Sequence, residues 1–459
     1  MVFNSFGFIV FFVLTCLLLL FFERSRHLHD KTNLLLLTAG FFLYAMFDYR
    51  CLFILLLLIF FTYLIGLRVK NKKRYLRLGI GLDVLLLGFF KYFDFFVDSF
   101  VRIFSSGDRL TLGIIVPVGI SFYVFKSISY LVDVYKGKCK AEKSLIDLAL
   151  YLSFFPELVA GPISRAKDLL SQIRTERKLS ADRFSEGLQL FVIGLFKKIV
   201  IADNISVFVS EVYRAPKIYS SATVLLCVFA YSIEIYMDFA GYSDMAVGCA
   251  KMIGFDIENN FNLPYISRNV TEFWKRWHIT LSSWLMDYIY IPLGGNRKGK
   301  KRQYLNLLIT MAIGGLWHGA DWTFVLWGIV NGLALIVHKI FRNHRPKKEG
   351  GILSIIITFI FISLTWILFR ADSFTNAKDV FMQLIGFREG ISYMNTWAFF
   401  GIAIVLAGNV YGCLWNERKV YYPLQDLYTV KGLFLFFLLV GLTVGLAYTG
   451  ANPFIYAAF

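Results

Sequence analysis

Two histidines stand apart from the rest of the chain by their surroundings. His318 sits in Gly314-Gly315-Leu316-Trp317-His318-Gly319-Ala320-Asp321-Trp322, and His278 follows Phe273-Trp274-Lys275-Arg276-Trp277. The remaining four, His27, His29, His338 and His344, lie among charged loop residues or at the basic end of an apolar run, and read as interfacial side chains. An ionisable group at membrane depth is costly and marks a functional site by default. Imidazole exchanges a proton near neutral pH, which a general base must do when a hydroxyl attacks a thioester. Gly315 and Gly319 on either side of His318 let a substrate or a second helix approach the backbone closely. Two blander readings stay open. His318 could pack between helices, bonded to a carbonyl, and His278 could belong to an aromatic belt at the membrane surface.

A third candidate is Tyr456, in the apolar ending Asn452-Pro453-Phe454-Ile455-Tyr456-Ala457-Ala458-Phe459. Such a tail seeks burial in the protein or at the bilayer surface. A buried tyrosine hydroxyl needs a partner, and it can also act as a nucleophile. The basic run Arg297-Lys298-Gly299-Lys300-Lys301-Arg302 could attract the phosphates of a nucleotide-bearing donor such as coenzyme A; membrane orientation explains it equally well. Asp83, Asp94, Glu157, Glu234, Asp238 and Asp244 fall within apolar sequence and read as structural ion pairs, with Lys91, Lys126 and Arg268 among the possible partners. The six cysteines are scattered without a CxxC pair, so no metal site and no disulfide framework is expected.

The elements that must hold these groups are membrane helices. The chain has 459 residues, 57% of them hydrophobic and 17% charged, with 48 phenylalanines. A bilayer-spanning helix needs about 20 mostly apolar residues, and such runs recur from end to end. Candidate spans cover residues 3–22, 33–47, 51–67, 78–97, 113–134, 145–161, 186–210, 221–240, 304–317, 321–341, 353–369, 396–415 and 432–449. The first lacks a basic leader and a cleavage site, so it reads as a retained helix. One membrane domain over residues 1–459 is expected, all-α and polytopic, because no loop is long enough for a second soluble domain. The +17 net charge comes in clusters between apolar runs, a pattern set by membrane orientation rather than by nucleic acid. If the clusters at 68–77, 136–143, 297–302 and 342–348 face the cytoplasm, the tail 450–459 lies outside. Residues 144–185 break simple alternation, and a re-entrant segment around Pro156–Pro162 would restore it. Between Asn269 and Pro292, Asn269 and Glu272 have capping-box spacing. Trp274, Trp277, His278, Leu281, Leu285 and Tyr288 then recur at helical spacing, as in a helix lying at the interface.

These segments together resemble the membrane-bound O-acyltransferase family, in its bacterial alginate O-acetyltransferase-like and peptidoglycan O-acetyltransferase-like branch. The likeness rests on Val2-Phe3-Asn4-Ser5, Gly119-Ile120-Ser121-Phe122-Tyr123, Ser153-Phe154-Phe155-Pro156 through Ala160-Gly161-Pro162-Ile163, and Asp238 to Asp244. Its strongest parts are Phe273 to His278 with Tyr290-Ile291-Pro292-Leu293-Gly294-Gly295-Asn296, and Gly315-Leu316-Trp317-His318-Gly319-Ala320. The resemblance implies a tunnel through the membrane core holding both signature histidines, with His318 the catalytic one and His278 positioning it or the donor. It implies a multi-pass protein of the cytoplasmic membrane that takes acetyl groups from acetyl-CoA and holds no permanent cofactor. The donor is expected near residues 268–302, against Trp274, Arg276, Trp277, Arg297 and Lys298. Relatives pass acyl groups to an extracytoplasmic partner with a serine-histidine-aspartate (SGNH/esterase-like) domain, which acetylates a surface polysaccharide or peptidoglycan. The ending looks like a Phe-Ile-Tyr-x-x-Phe tail, in which the tyrosine, here Tyr456, carries the acyl group. Glu157, where relatives commonly have glutamine, and Ala457-Ala458 depart from the pattern. A D-alanyl or longer-chain acyltransferase is the alternative within the family, and a glycan or lipid transporter the alternative outside it.

Overall fold

The computed structural model describes residues 3–23, 29–104, 112–177, 179–342, 351–414 and 426–450. Among them the architecture is all-α, and the only extended pairing is a single bridge between Tyr219 and Ile391. Among the described residues four helices are long and apolar enough to cross a bilayer: Tyr49–Gly66, Ser221–Met252, Trp322–Phe341 and Ile352–Arg370. Such segments must satisfy every backbone polar group internally, which a helix does. The chain groups into two compact units, one of residues 1–191 with 245–258 and one of residues 192–244 with 259–459.

In the first unit run α1 (Phe6–Glu23), α2 (His29–Ala45), α3 (Tyr49–Gly66), α4 (Lys73–Leu87), α5 (Phe93–Phe104) and α6 (Ile120–Tyr135). The span expected over 145–161 is instead α7 (Leu145–Leu152) and the single turn α8 (Phe155–Leu158). Neither is long enough to cross a bilayer. The helix stops at Ser153 and restarts with Pro156 in its first turn, where a proline needs no N–H. The unit continues with α9 (Ala166–Ile173) and most of α10 (Ala181–Leu195). Among its buried ionisable groups are an ion pair and a hydrogen-bonded carboxyl. Lys126 meets Glu157 at 2.7 Å, with Ser164 donating to the same carboxylate and the Tyr151 ring 4.8 Å from the ammonium. Asp83 accepts from Ser127 at 2.8 Å, and Ser127 shares a 2.8 Å hydrogen bond with Thr62.

The second unit holds α11 (Asp203–Arg214) and the larger part of α12 (Ser221–Met252), then α13 (Val270–Arg276), α14 (Ile279–Leu285), α15 (Gly299–His318), α16 (Trp322–Arg342), α17 (Ile352–Arg370), α18 (Phe374–Ile385), α19 (Thr396–Leu414) and α20 (Val430–Leu446). A π-helical stretch, Phe196–Ala202, precedes α11. From it Lys198 reaches Asp203 and Asp238 at 2.7 and 2.6 Å, and Lys197 reaches Asp244 at 2.5 Å. The acids expected in structural ion pairs thus have cationic partners at Glu157, Asp238 and Asp244. Asp94 accepts instead from the backbone N–H groups of Leu112 and Ile114.

The scaffold of the site is the antiparallel hairpin α15–α16, joined by only Gly319, Ala320 and Asp321. Glycine lets these helices pack backbone against backbone. A Cβ on Gly315 would run into the carbonyl oxygen of Phe324, and one on Gly328 into that of Met311. Asp321 closes the turn by accepting from the Thr323 N–H at 2.8 Å.

Candidate active site

The stretch from Asn269 to Pro292 is not one interfacial helix. Its start follows the capping-box spacing: Asn269 Oδ1 accepts from the Glu272 N–H at 2.9 Å, and Glu272 Oε2 from the Arg268 N–H at 2.9 Å. The helix then breaks at Trp277–His278, where His278 adopts a left-handed φ of 42°. That conformation is unfavourable for a residue with a Cβ, by roughly 1–2 kcal/mol. Both side chains flanking this break are buried. Trp277 packs on Phe261 and Trp366, each 5.0 Å away, while His278 packs edge-on to Phe239 at 4.6 Å. Asn260 holds the turn. Its carbonyl accepts from the Ile279 N–H at 2.9 Å, and its side-chain oxygen from the Thr280 hydroxyl at 2.6 Å.

His318 is the last residue of α15 and is 4% exposed; His278 is 1% exposed. Their ring centroids lie 6.5 Å apart. Rings enclose His318: Trp317 at 5.1 Å, Phe369 of α17 at 5.2 Å and Trp327 of α16 at 5.3 Å. His278 is therefore no belt residue at the surface. The two imidazoles form a buried pair in an aromatic shell, where the lower polarity strengthens any charge interaction.

His318 is not sealed off. It lines a cavity of about 430 Å³, together with Trp274, Lys275, Leu285, Gly314 and Trp327. The cavity also reaches Thr271, His338 and Lys339. Trp327 and His338 are eleven residues apart on α16, so it extends roughly 16 Å along that helix at 1.5 Å per residue. Thr271 and His338 share a 2.8 Å hydrogen bond through Nδ1. His338, expected as an interfacial side chain, is a wall residue of the same cavity as His318.

Of the expected donor contacts, Trp274 lies on this wall. Trp277 is buried in the aromatic packing behind it. Arg276 pairs with Glu272 at 3.0 Å and donates to the Asn262 carbonyl at 3.2 Å, so it braces the turn. Arg297 and Lys298 are exposed on the loop before α15, whose Gly295 carbonyl is held by Asn306 at 3.0 Å. The lysines on the cavity wall are Lys275 and Lys339 instead. Tyr456 lies outside the described residues. Sequence reading passed over Asn260, Trp327 and Phe369. A fully buried asparagine leaves no periodic trace, and the two aromatics belong to helices whose facing sides only the tertiary packing defines.

Comparison with known proteins fits this geometry. The profile of the membrane-bound O-acyltransferase family matches residues 141–374, which include both histidines. The chain is 40% identical to the probable alginate O-acetylase of Azotobacter vinelandii over 399 residues, 85% of this chain and 79% of the relative. It is 38% identical to the peptidoglycan O-acetyltransferase of Helicobacter pylori over 396 residues, covering 78% and 75% of the two chains. The teichoic acid D-alanyltransferase of Bacillus subtilis is 28% identical over 276 residues, 56% of this chain and 69% of that one. A transporter without chemistry does not fit such relatives. The chain belongs to the membrane-bound O-acyltransferase family, and it is a multi-pass membrane enzyme that transfers acyl groups to oxygen.

Proposed function

We propose that this enzyme takes an acetyl group from cytoplasmic acetyl-CoA and delivers it across the membrane for O-acetylation of a cell-surface polysaccharide or peptidoglycan. One observation carries the reading: a buried imidazole, His318, forms part of the wall of a cavity long enough to admit the arm of a thioester donor. The names of the relatives support the acetyl group and the glycan acceptor. Lys275 and Lys339 give the cavity positive charge that suits an anionic donor.

In the proposed step the phenolic oxygen of Tyr456 attacks the thioester carbonyl carbon while His318 takes the phenolic proton. A carbon–oxygen bond forms and the carbon–sulfur bond breaks. The proton passes from His318 to the departing thiolate, leaving acetyl-tyrosine and free coenzyme A. His278, 6.5 Å from His318, positions the base or the donor. An extracytoplasmic partner with an esterase-like serine then takes the acetyl group and passes it to a sugar hydroxyl. The whole chain acts as one membrane domain in the cytoplasmic membrane, with its basic loops inside and its tail outside.

The test uses purified enzyme and isotope-labelled acetyl-CoA, with mass spectrometry of the C-terminal peptide. Label on Tyr456 in the wild type, and none in Tyr456→Phe, is the expected result. Full polymer acetylation by Tyr456→Phe would refute the relay. Turnover of a D-alanyl thioester but not of acetyl-CoA would move the enzyme to the branch of its D-alanyl relative.

A further inference from the structure

The end of α20 is tied down by a part of the fold that the mechanism above does not use. α20 stops at Leu446, and Ala447 leaves helical geometry with φ −58° and ψ 136°. The last carbonyls of a helix have no partner within it. Here Asn204 supplies one: its Nδ2 donates to the Leu446 carbonyl at 3.1 Å and to the Val200 carbonyl at 2.8 Å. Two residues beyond Leu446, the Tyr448 N–H donates to the Ile199 carbonyl at 2.9 Å. Ile199 and Val200 both belong to the π-helical stretch Phe196–Ala202. A wide turn of this kind interrupts the regular ladder of hydrogen bonds and is frequent at functional sites. In this one, two successive carbonyls take part in holding the chain where it leaves α20.

The anchor is itself fixed to the helix that backs the histidines. Lys198, in the same π-helical stretch, bonds Asp238 of α12 at 2.6 Å. The next residue on α12, Phe239, packs on His278, whose ring lies 6.5 Å from that of His318. A short run of buried contacts therefore joins the root of the tail to the histidine pair. Tyr456 follows Tyr448 by eight residues, a stretch that spans at most about 29 Å. We infer that Asn204 is a positioning residue of the transfer: with the Ile199 carbonyl it fixes the point from which the tail departs, and so holds Tyr456 within reach of His318. This inference rests on Tyr456 being the acyl carrier. A nucleophile on a short tether acts at a high effective concentration, set by the length of the tether and by where it starts. Releasing the root lets the tail sample a larger volume and lowers that concentration.

The test follows labelled acetyl-CoA through a single turnover of the full-length enzyme in detergent. Asn204→Ala removes the donor that holds the Leu446 carbonyl. Labelling of Tyr456 is expected to slow about 3–10-fold, while the affinity for the donor stays at its wild-type value. A second measurement moves in the opposite direction. In Tyr456→Phe the tethered tail cannot take the label, but it still competes with a free peptide of sequence Asn-Pro-Phe-Ile-Tyr-Ala-Ala-Phe supplied as acceptor. Adding Asn204→Ala to Tyr456→Phe is expected to raise labelling of that peptide severalfold, because the tethered competitor is then less concentrated at the site. General damage to the fold would lower it instead. Labelling of Tyr456 at the wild-type rate in Asn204→Ala, or peptide labelling no higher in the double variant, overturns the inference. The two failures are distinguishable. No label on wild-type Tyr456 removes the carrier reading and this inference with it, whereas a labelled wild type beside an unaffected Asn204→Ala sinks only the anchor.

Discussion

Lys126 and His318 are both ionisable, both buried and both set in aromatic surroundings, yet their sites are built differently. Lys126 has its counter-charge at 2.7 Å, and that carboxylate also accepts from Ser164. His318 has rings on its sides, a second imidazole 6.5 Å away and a cavity in front of it. Burying a charge is tolerable when a partner and hydrogen bonds offset its lost hydration. Such a group fixes structure and has nothing left to offer a ligand. An imidazole on a cavity wall can also meet whatever enters, and on the proposed function it would exchange its proton there. The same contrast recurs in backbone form at adjacent glycines. Gly315 is filled by the neighbouring helix, while Gly314 looks into the cavity, where an added Cβ would meet only Leu285 Cδ1, at 3.1 Å.

Substitutions at these positions sharpen the comparison or break it. The largest effect is expected from His318→Ala. Loss of a general base lowers rates by about 10²–10⁴-fold, with the melting temperature in detergent held near the wild-type value. Measurable transfer at the wild-type rate, or collapse of the fold, would place His318 with the structural residues. Lys126→Met should do the opposite. It strands Glu157 without its cation and is expected to cost about 3–5 kcal/mol of stability, read as a lowered melting temperature. The pair Lys126→Met/Glu157→Leu should recover much of that loss. If the double variant is no better than the single one, the ion pair is not what decides stability there.

The glycines give the smallest and most discriminating effects. Gly315→Ala must push α16 away from α15 and is expected to lower the melting temperature visibly. Gly314→Ala is expected to stay within about 1 kcal/mol of wild type, because alanine favours the helix by a similar amount and Leu285 can give way. Its effect should appear instead in donor choice, with longer acyl groups losing more activity than acetyl. Equal melting temperatures for the two variants would erase the distinction between a packing glycine and a cavity glycine.

Much of this was legible in the order of residues alone. Apolar runs define the membrane helices, because a bilayer imposes their length and composition. The Asn269–Glu272 cap was readable because it is local, a hydrogen bond between residues three apart. His318 announced itself as a titratable residue between glycines in an aromatic stretch. The helical stripe from Trp274 to Tyr288 misled, since periodicity cannot register the left-handed turn at His278 that interrupts it. The 145–161 run misled for a related reason: it is apolar enough to span, but from Leu148 onward its residues are buried by protein.

Local sequence, then, determined the all-α membrane character of the chain, the cap at Asn269 and the titratable side chains available for chemistry. Only the tertiary structure decided which groups meet. Asn260 braces Thr280, Trp327 and Phe369 arrive from two further helices, and Lys275 and Lys339 rather than Arg297 and Lys298 line the cavity. Spacing along a chain reports which face of a helix a residue occupies, whereas a site is made by faces of different helices. Their convergence depends on packing between segments that carry no mark of one another in the sequence.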